Sequence, residues 1–102
     1  NGMLFVSGQI PLHPETGEIV GSGISAQTEQ VIDNLLAIIE GAGASVNDIV
    51  KCTCFLASMD DFAAFNEVYA ARLGETAPAR ECVAVAGLPK NVLVEISAIC
   101  GR

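Results

Sequence analysis

The sequence predicts an α+β domain in which two helices cover one face of a mixed β-sheet. Apolar residues recur at helical spacing in the segments 25–40 and 62–73. Runs rich in β-branched residues flank both segments, at 3–6, 49–57, 80–86 and 91–100. Strands that precede, separate and follow two helices are typical of an α+β layer with both helices on the same side.

Each predicted helix has its own apolar stripe and its own start and stop signals. Ser25 is the expected cap of the first helix, and Gly41 and Gly43 are expected to end it. Its expected buried face consists of Val31, Leu35, Ile38 and Ala42, with Ile32 and Ile39 beside them. Asp60 or Asp61 opens the second helix and Gly74 ends it. The stripe of the second helix is Phe62, Phe65, Tyr69 and Leu73.

The predicted strands differ in their expected positions. Asn1-Gly2 is typical of a two-residue hairpin, so we expect a single domain over 1–102 that lacks its first strand. Ile19-Val20 is a candidate short edge strand, and 49–57 is expected to be a central strand buried on both faces. The turn Gly87-Leu88-Pro89-Lys90 joins the last two strands, which we expect to pair with each other.

The composition of the chain indicates a subunit of an oligomer. Of its 102 residues, 51% are hydrophobic and 17% are charged, against a typical charged share of about 25%. Two helices cover one face of a five- or six-stranded sheet, which leaves the second apolar face for another subunit. The longest apolar runs have four or five residues, far fewer than the ~20 of a membrane-spanning helix.

The net charge and the cysteines of the chain indicate which partners it disfavours and where in the cell it is expected. A net charge of −7 disfavours binding to nucleic acid and to anionic membranes. The chain shows no targeting segment, so a cytoplasmic location is expected. Cys52, Cys54, Cys82 and Cys100 form no C-x-x-C pair and are expected to be reduced, mostly buried thiols.

Three residues of the last two strands are candidates for chemistry. Arg80 and Cys82 leave one strand on the same side, where the guanidinium fits a carboxylate and lowers the pKa of the thiol. The alternative is an Arg80 paired with an acidic residue and a Cys82 that fills the core. Glu95, inside an apolar strand, either forms a salt bridge with Arg80 or activates water.

Metal and cofactor chemistry have no support in the sequence. His13 is the only histidine and lies in a proline-flanked turn, and the cysteine spacing matches no zinc site. Glycine-rich phosphate loops, the nucleophile-elbow motif and the zincin motif are absent from the sequence. We therefore expect neither a metal nor an organic cofactor.

The sequence resembles the reactive intermediate (enamine/imine) deaminase family, also called Rid or YjgF-like and often labelled endoribonuclease L-PSP. The resemblance extends over nearly the whole chain. It rests on the segments Phe5-Val6-Ser7-Gly8-Gln9-Ile10-Pro11, Pro14-Glu15-Thr16-Gly17-Glu18, Asp33-Asn34-Leu35, Asp48-Ile49-Val50-Lys51, Asp61-Phe62, Asn66-Glu67-Val68-Tyr69, Pro78-Ala79-Arg80, Leu88-Pro89-Lys90 and Val94-Glu95-Ile96.

The resemblance implies a chorismate-mutase-like subunit of a homotrimer, with the sheets around a central barrel and the sites between subunits. It implies that Arg80 clamps a substrate carboxylate, that the backbone amide of Cys82 helps to hold it, and that Glu95 positions the hydrolytic water. Ser7, Gly8 and Asn66 match further cleft positions. Two features depart from the family pattern. Glu81 replaces a small hydroxyl residue, and the upstream segment with the cleft tyrosine is absent from the sequence.

The implied activity is hydrolytic deamination of 2-aminoacrylate-like enamines and imines to 2-keto acids and ammonia. A non-catalytic module that binds 2-keto acids through the same arginine is an alternative. The ribonuclease or translation-inhibitor activity of the family label is a weaker alternative, because the chain is acidic and has no basic stripe.

Overall fold

The computed structural model describes residues 2–101, and its core is a four-stranded sheet under two helices. The strands are β1 (Met3–Gln9), β2 (Ile49–Leu56), β3 (Ala79–Ala84) and β4 (Val94–Gly101), and the helices are α1 (Ile24–Gly41) and α2 (Phe62–Leu73). The predicted α+β class is therefore confirmed. The Asn1-Gly2 turn includes Asn1, which lies outside the described residues.

The sheet order is β1-β4-β2-β3, with β4 antiparallel to both of its neighbours and β3 parallel to β2. The predicted pairing of the last two strands is therefore wrong. After β3 the chain passes through a 3₁₀ turn at Pro89–Asn91, where Lys90 and Asn91 have φ angles of 55° and 56°. It then crosses β2, and β4 lies between β2 and β1. The described sheet has four strands and not the five or six expected.

One face of the sheet carries the core, and α1 and α2 pack against it. Cys52, Cys54 and Leu56 of β2 are completely buried on this face. Lys51, Thr53 and Phe55 of the same strand face the other side and are only partly buried. The expectation that 49–57 is buried on both faces is therefore wrong within one protomer, because no described element covers the second face.

Both helices follow their apolar stripes with small differences. Val31, Ile32, Leu35 and Ile39 of α1 are buried, but Ile38 is 42% exposed and Ala42 is exposed. Gly23, not Ser25, precedes α1, and no side chain caps its first turn. In α2, Phe65, Tyr69 and Leu73 are buried. The predicted strand at Ile19-Val20 is reduced to a single bridge between Leu12 and Ile19.

Candidate active site

The register of the sheet places Arg80 and Cys82 on the helix-covered face. Arg80 pairs with Cys52 and Cys82 pairs with Cys54, and both partners are buried under the helices. Because side chains of laterally paired residues leave the same face of a sheet, Arg80 and Cys82 point toward α2. The expected side-by-side arrangement of these two residues is confirmed.

Three residues of α2 hold the guanidinium of Arg80. Its Nη1 donates a hydrogen bond of 2.6 Å to Oδ1 of Asn66. Its Cζ lies 4.7 Å from the centre of the Tyr69 ring and 5.7 Å from that of Phe62. Within residues 2–101, no carboxylate forms an ion pair with Arg80. The predicted alternatives of a salt bridge to Glu95 or to another acidic residue are therefore wrong in the protomer.

Phe62 and Tyr69 were predicted only as part of the apolar stripe of α2, and their contacts with Arg80 were missed. The signal was present in the spacing. Residues 62, 66 and 69 are four and three apart and therefore share one face of the helix. The parallel register between β2 and β3, which brings Arg80 to this face, could not be read from the sequence.

The amide of Cys82 lies at the open edge of the described sheet. The N–H of Val85, just after β3, donates to the carbonyl oxygen of Leu56 in β2 over 2.9 Å. Successive N–H groups along a strand point to opposite edges, so the N–H of Cys82, three residues earlier, points away from β2. This free donor is on the strand that also carries the guanidinium of Arg80.

The thiol of Cys82 is not activated by its neighbour. Burial raises its pKa above the ordinary 9.0, and the charge of Arg80 opposes that shift without reversing it. The charge of Arg80 therefore acts in the expected direction, but burial outweighs it and the net shift of this pKa is upward. All four cysteines are free thiols, as predicted, and three of them are buried.

Glu95 lies on the opposite face of the sheet from Arg80. It pairs with Phe55, whereas Arg80 pairs with Cys52, and residues 52 and 55 of one strand face opposite sides. The carboxyl group of Glu95 passes over Gly8, where a Cβ atom would lie 2.7 Å from the carboxyl carbon. A side chain at residue 8 would therefore displace this carboxylate from its present position. Ser7 and Gly8 are exposed residues of β1, and Gly8 lies next to the Glu95 carboxylate.

A groove of about 750 Å³ lies between α1 and the loop that follows β1. Gly8, Asn34, Ile38 and His13 are among its lining residues. The side-chain amide of Asn34 donates to the carbonyl oxygens of Ile10 and Leu12, which fixes the loop to α1. Arg80 does not line this groove.

His13 has a structural contact, and metal sites are absent from the described residues. Nδ1 of His13 accepts hydrogen bonds from the backbone N–H groups of Glu15 and Thr16 and so shapes its own turn. Among residues 2–101, no group of three or more histidine, cysteine or acidic side chains is arranged to hold a metal ion. The helices in this range are also too short or too polar to span a membrane.

Comparison with known proteins gives one family. Residues 1–101 match the family model described as Endoribonuclease L-PSP. The chain is 56% identical over 96 residues to a RutC family protein of Pyrococcus horikoshii, covering 94% of this chain and 76% of that protein. It is 50% identical over 103 residues to the 2-iminobutanoate/2-iminopropanoate deaminase of Escherichia coli, covering 98% of this chain and 80% of the enzyme.

Solved structures give the same result. The crystal structure of the Escherichia coli YjgF gene product aligns with a TM-score of 0.93 at 47% identity, over 100% of this chain and 82% of that one. Escherichia coli TdcF, solved with bound serine, aligns with a TM-score of 0.92 at 47% identity, over 98% of this chain and 80% of that one. The chain belongs to the endoribonuclease L-PSP family, also called the Rid or YjgF family.

Proposed function

We propose that the protein hydrolyses reactive 2-imino acids, and the enamines that tautomerise to them, to 2-keto acids and ammonia. The observation that carries the proposal is the Arg80 guanidinium, which is held in place by α2 but has no carboxylate partner within residues 2–101. An arginine so placed is suited to bind a substrate carboxylate in a bidentate manner. The 50% identity to a 2-iminobutanoate/2-iminopropanoate deaminase supports this substrate class.

In the proposed reaction the protein positions the substrate and water. Arg80 and the edge N–H of Cys82 hold the carboxylate, and Glu95 orients a water molecule and takes its proton. The water oxygen bonds to the imine carbon, the C=N bond becomes a single bond, and the nitrogen gains the proton that Glu95 took from water, which gives a carbinolamine. The hydroxyl proton then passes to the nitrogen, the C–N bond breaks, and ammonia leaves as the C=O bond of the 2-keto acid forms. Because the imine carbon is already electrophilic, positioning supplies most of the required catalysis.

The site would be completed by a second copy of the chain. Arg80 and Glu95 leave opposite faces of one sheet, so one protomer cannot place both on one small substrate. The face that carries Glu95 includes an exposed apolar patch, with Phe5 70% exposed and Met3 59% exposed. Burial of such a patch favours association. These features support a homotrimer in which each site lies between two subunits, and the free thiols support a cytoplasmic location.

The test compares the wild-type protein with Arg80→Ala, and Arg72→Gln is the matched control. Arg72 is also a partly buried arginine, but it pairs with Glu29 and Asp33 and lies outside the proposed site. A pyridoxal-phosphate dehydratase supplies 2-aminoacrylate, and keto-acid release is followed. We expect Arg80→Ala to lose about 100-fold in kcat/KM, the contribution of a bidentate charged contact.

Three results would decide against the proposal. Equal rates for wild type and Arg80→Ala would show that Arg80 does not hold the substrate carboxylate. An equal loss of kcat/KM in Arg72→Gln would show that the effect is not specific to the arginine at position 80. Calorimetric binding of 2-oxobutyrate by a wild type that does not accelerate imine hydrolysis would favour a keto-acid-binding module instead.

A further inference from the structure

The partners of Arg80 are electrically neutral. Asn66 accepts a hydrogen bond through an amide oxygen, and Tyr69 and Phe62 present ring faces to the guanidinium. Arg72, a residue of α2, instead makes contacts of 2.7 Å or less with two carboxylates of α1. The chain therefore uses two different modes of holding an arginine. Only the one at Arg80 leaves the positive charge uncompensated.

Of the two aromatic rings that contact the Arg80 guanidinium, the ring of Tyr69 is the closer. The residue is 6% exposed, so its ring is fixed against Phe65, with 5.7 Å between ring centres. Its hydroxyl is buried without a hydrogen-bond partner of normal geometry among residues 2–101, and it lies against the Cys52 thiol. A buried hydroxyl without a good partner adds no stability to the folded chain. The favourable interaction of Tyr69 with Arg80 is thus the cation–π contact of the ring.

We infer that Tyr69, with Asn66, is a positioning residue that orders the Arg80 guanidinium before substrate binds, without neutralising it. This inference rests on the proposed function, since it assigns these residues to the recognition of a small carboxylate by Arg80. A guanidinium that is already ordered loses less side-chain freedom when the carboxylate binds. Neutral partners also leave the charge available to a carboxylate ligand, which a Glu or Asp partner would not.

The experiment compares the full chain with Tyr69→Leu and Tyr69→Phe. Leucine removes the ring face, whereas phenylalanine keeps it and removes only the hydroxyl. Ile39→Ala, a truncation of a completely buried residue in α1, controls for lost stability. The Kd of 2-oxobutyrate is measured by calorimetry, and kcat and KM are measured with dehydratase-generated 2-aminoacrylate.

We expect Tyr69→Leu to raise Kd and KM about tenfold, with kcat within about twofold of wild type. Tyr69→Phe is expected to restore both constants to within about twofold of wild type. Ile39→Ala is expected to unfold at a lower temperature but to keep the wild-type Kd. Wild-type binding by Tyr69→Leu, or equally weak binding by Tyr69→Phe or Ile39→Ala, would overturn the inference.

A second readout separates this inference from the proposed function. If wild type binds 2-oxobutyrate but does not hydrolyse imines, the proposed function fails, and the Kd series alone decides on Tyr69. If wild type binds no carboxylate, nuclear magnetic resonance of the arginine side chains decides. Slow rotation of the Arg80 guanidinium in wild type and Tyr69→Phe, and fast rotation in Tyr69→Leu, would support the positioning role. Equal rotation rates in all three would overturn it.

Discussion

Arg80 and Glu95 leave opposite faces of one four-stranded sheet. Arg80 pairs with Cys52 under the helices, and Glu95 pairs with Phe55 on the uncovered side. A substrate small enough to be a three- or four-carbon imino acid cannot reach both side chains of the same protomer through the sheet. The two groups can act on one substrate only if they come from different copies of the chain.

This relationship predicts complementation between two inactive variants. We expect Arg80→Ala and Glu95→Gln to be nearly inactive when each is prepared alone. When the two are refolded together in equal amounts, random mixing gives about one quarter of the sites an intact arginine and an intact glutamate. Recovery of about a quarter of the wild-type rate is therefore expected in the keto-acid assay.

One outcome of the mixing experiment would contradict the prediction that each site takes its arginine and its glutamate from different copies. If both residues of a site came from one protomer, every site would carry one of the two substitutions, and no activity would return. Mixing each variant with itself by the same protocol is the control for losses during refolding.

The contact between Gly8 and Glu95 predicts that Gly8→Ala lowers the activity and leaves the fold intact. A Cβ at this position would lie 2.7 Å from the carboxyl carbon of Glu95, so Gly8→Ala should push that flexible carboxylate out of place. We expect kcat to fall at least about tenfold, within the range assigned to positioned acid–base groups. The melting temperature should stay close to that of wild type, because the clashing atoms belong to a side chain that can rotate.

Gly41→Ala is the control for this substitution. A Cβ at Gly41 would meet no atom within 4 Å, and the residue ends α1. A wild-type kcat in Gly8→Ala, or an equal fall in Gly41→Ala, would show that the contact between Gly8 and Glu95 has no role in the reaction.

Asn66→Asp should make the protein more stable but weaken its ligand binding. The new carboxylate would replace the amide oxygen that is 2.6 Å from Nη1 of Arg80 and would form an ion pair with it. We expect unfolding to require up to about 1 kcal/mol more free energy. The Kd of 2-oxobutyrate should rise at least about tenfold, since the guanidinium is then neutralised.

Asn47→Asp adds the same charge at an exposed position and serves as the control for net charge. Denaturant unfolding and calorimetry measure the two quantities. Unchanged affinity for 2-oxobutyrate in Asn66→Asp would mean that Arg80 does not need an uncharged partner at position 66 to bind the carboxylate.

The buried thiols of Cys52 and Cys54 and the buried phenol of Tyr69 predict a loss of stability at alkaline pH. Burial raises the pKa values of Cys52, Cys54 and Tyr69 above their ordinary 9.0, 9.0 and 10.0. The folded state therefore keeps protons that the unfolded chain releases. Their contribution to stability is complete below about pH 9 and is lost as the pH rises toward the folded-state values.

Urea unfolding at pH 7, 9, 10 and 11 would measure this loss. In Cys54→Val, which has no group to titrate at this position, the decline should be shallower by up to about 1.4 kcal/mol per pH unit. An identical decline in wild type and Cys54→Val would contradict the assignment to this thiol.

Local patterns in the sequence predicted the helices and most of the strands. The α2 stripe fell correctly on Phe65, Tyr69 and Leu73, and α1 and α2 end at or just before the expected glycines. Such periodicity depends on residues that are neighbours along the chain. Ile38 was misplaced because the position next to a helix stripe can be either core or surface, depending on the loop that packs there.

The strand order was harder to predict, because it depends on contacts between distant segments. A short turn between β3 and β4 suggested a hairpin, but β4 pairs with β1 and β2 instead. In retrospect the alternation of Val94, Ile96, Ala98 and Cys100 fits a central strand, and the charged pair Arg80-Glu81 fits an edge strand. The separation of Arg80 from Glu95 follows from this order and was therefore missed as well.

The strand order also has a consequence for the folding reaction. β1 does not pair with β2, and only β4, the last strand along the described chain, joins β1 to the pair formed by β2 and β3. The sheet therefore cannot be completed until β4 has been synthesised. Before then, the apolar faces of β1 and β2 are unprotected, which leaves the nascent chain prone to aggregation and dependent on β4 for cooperative folding.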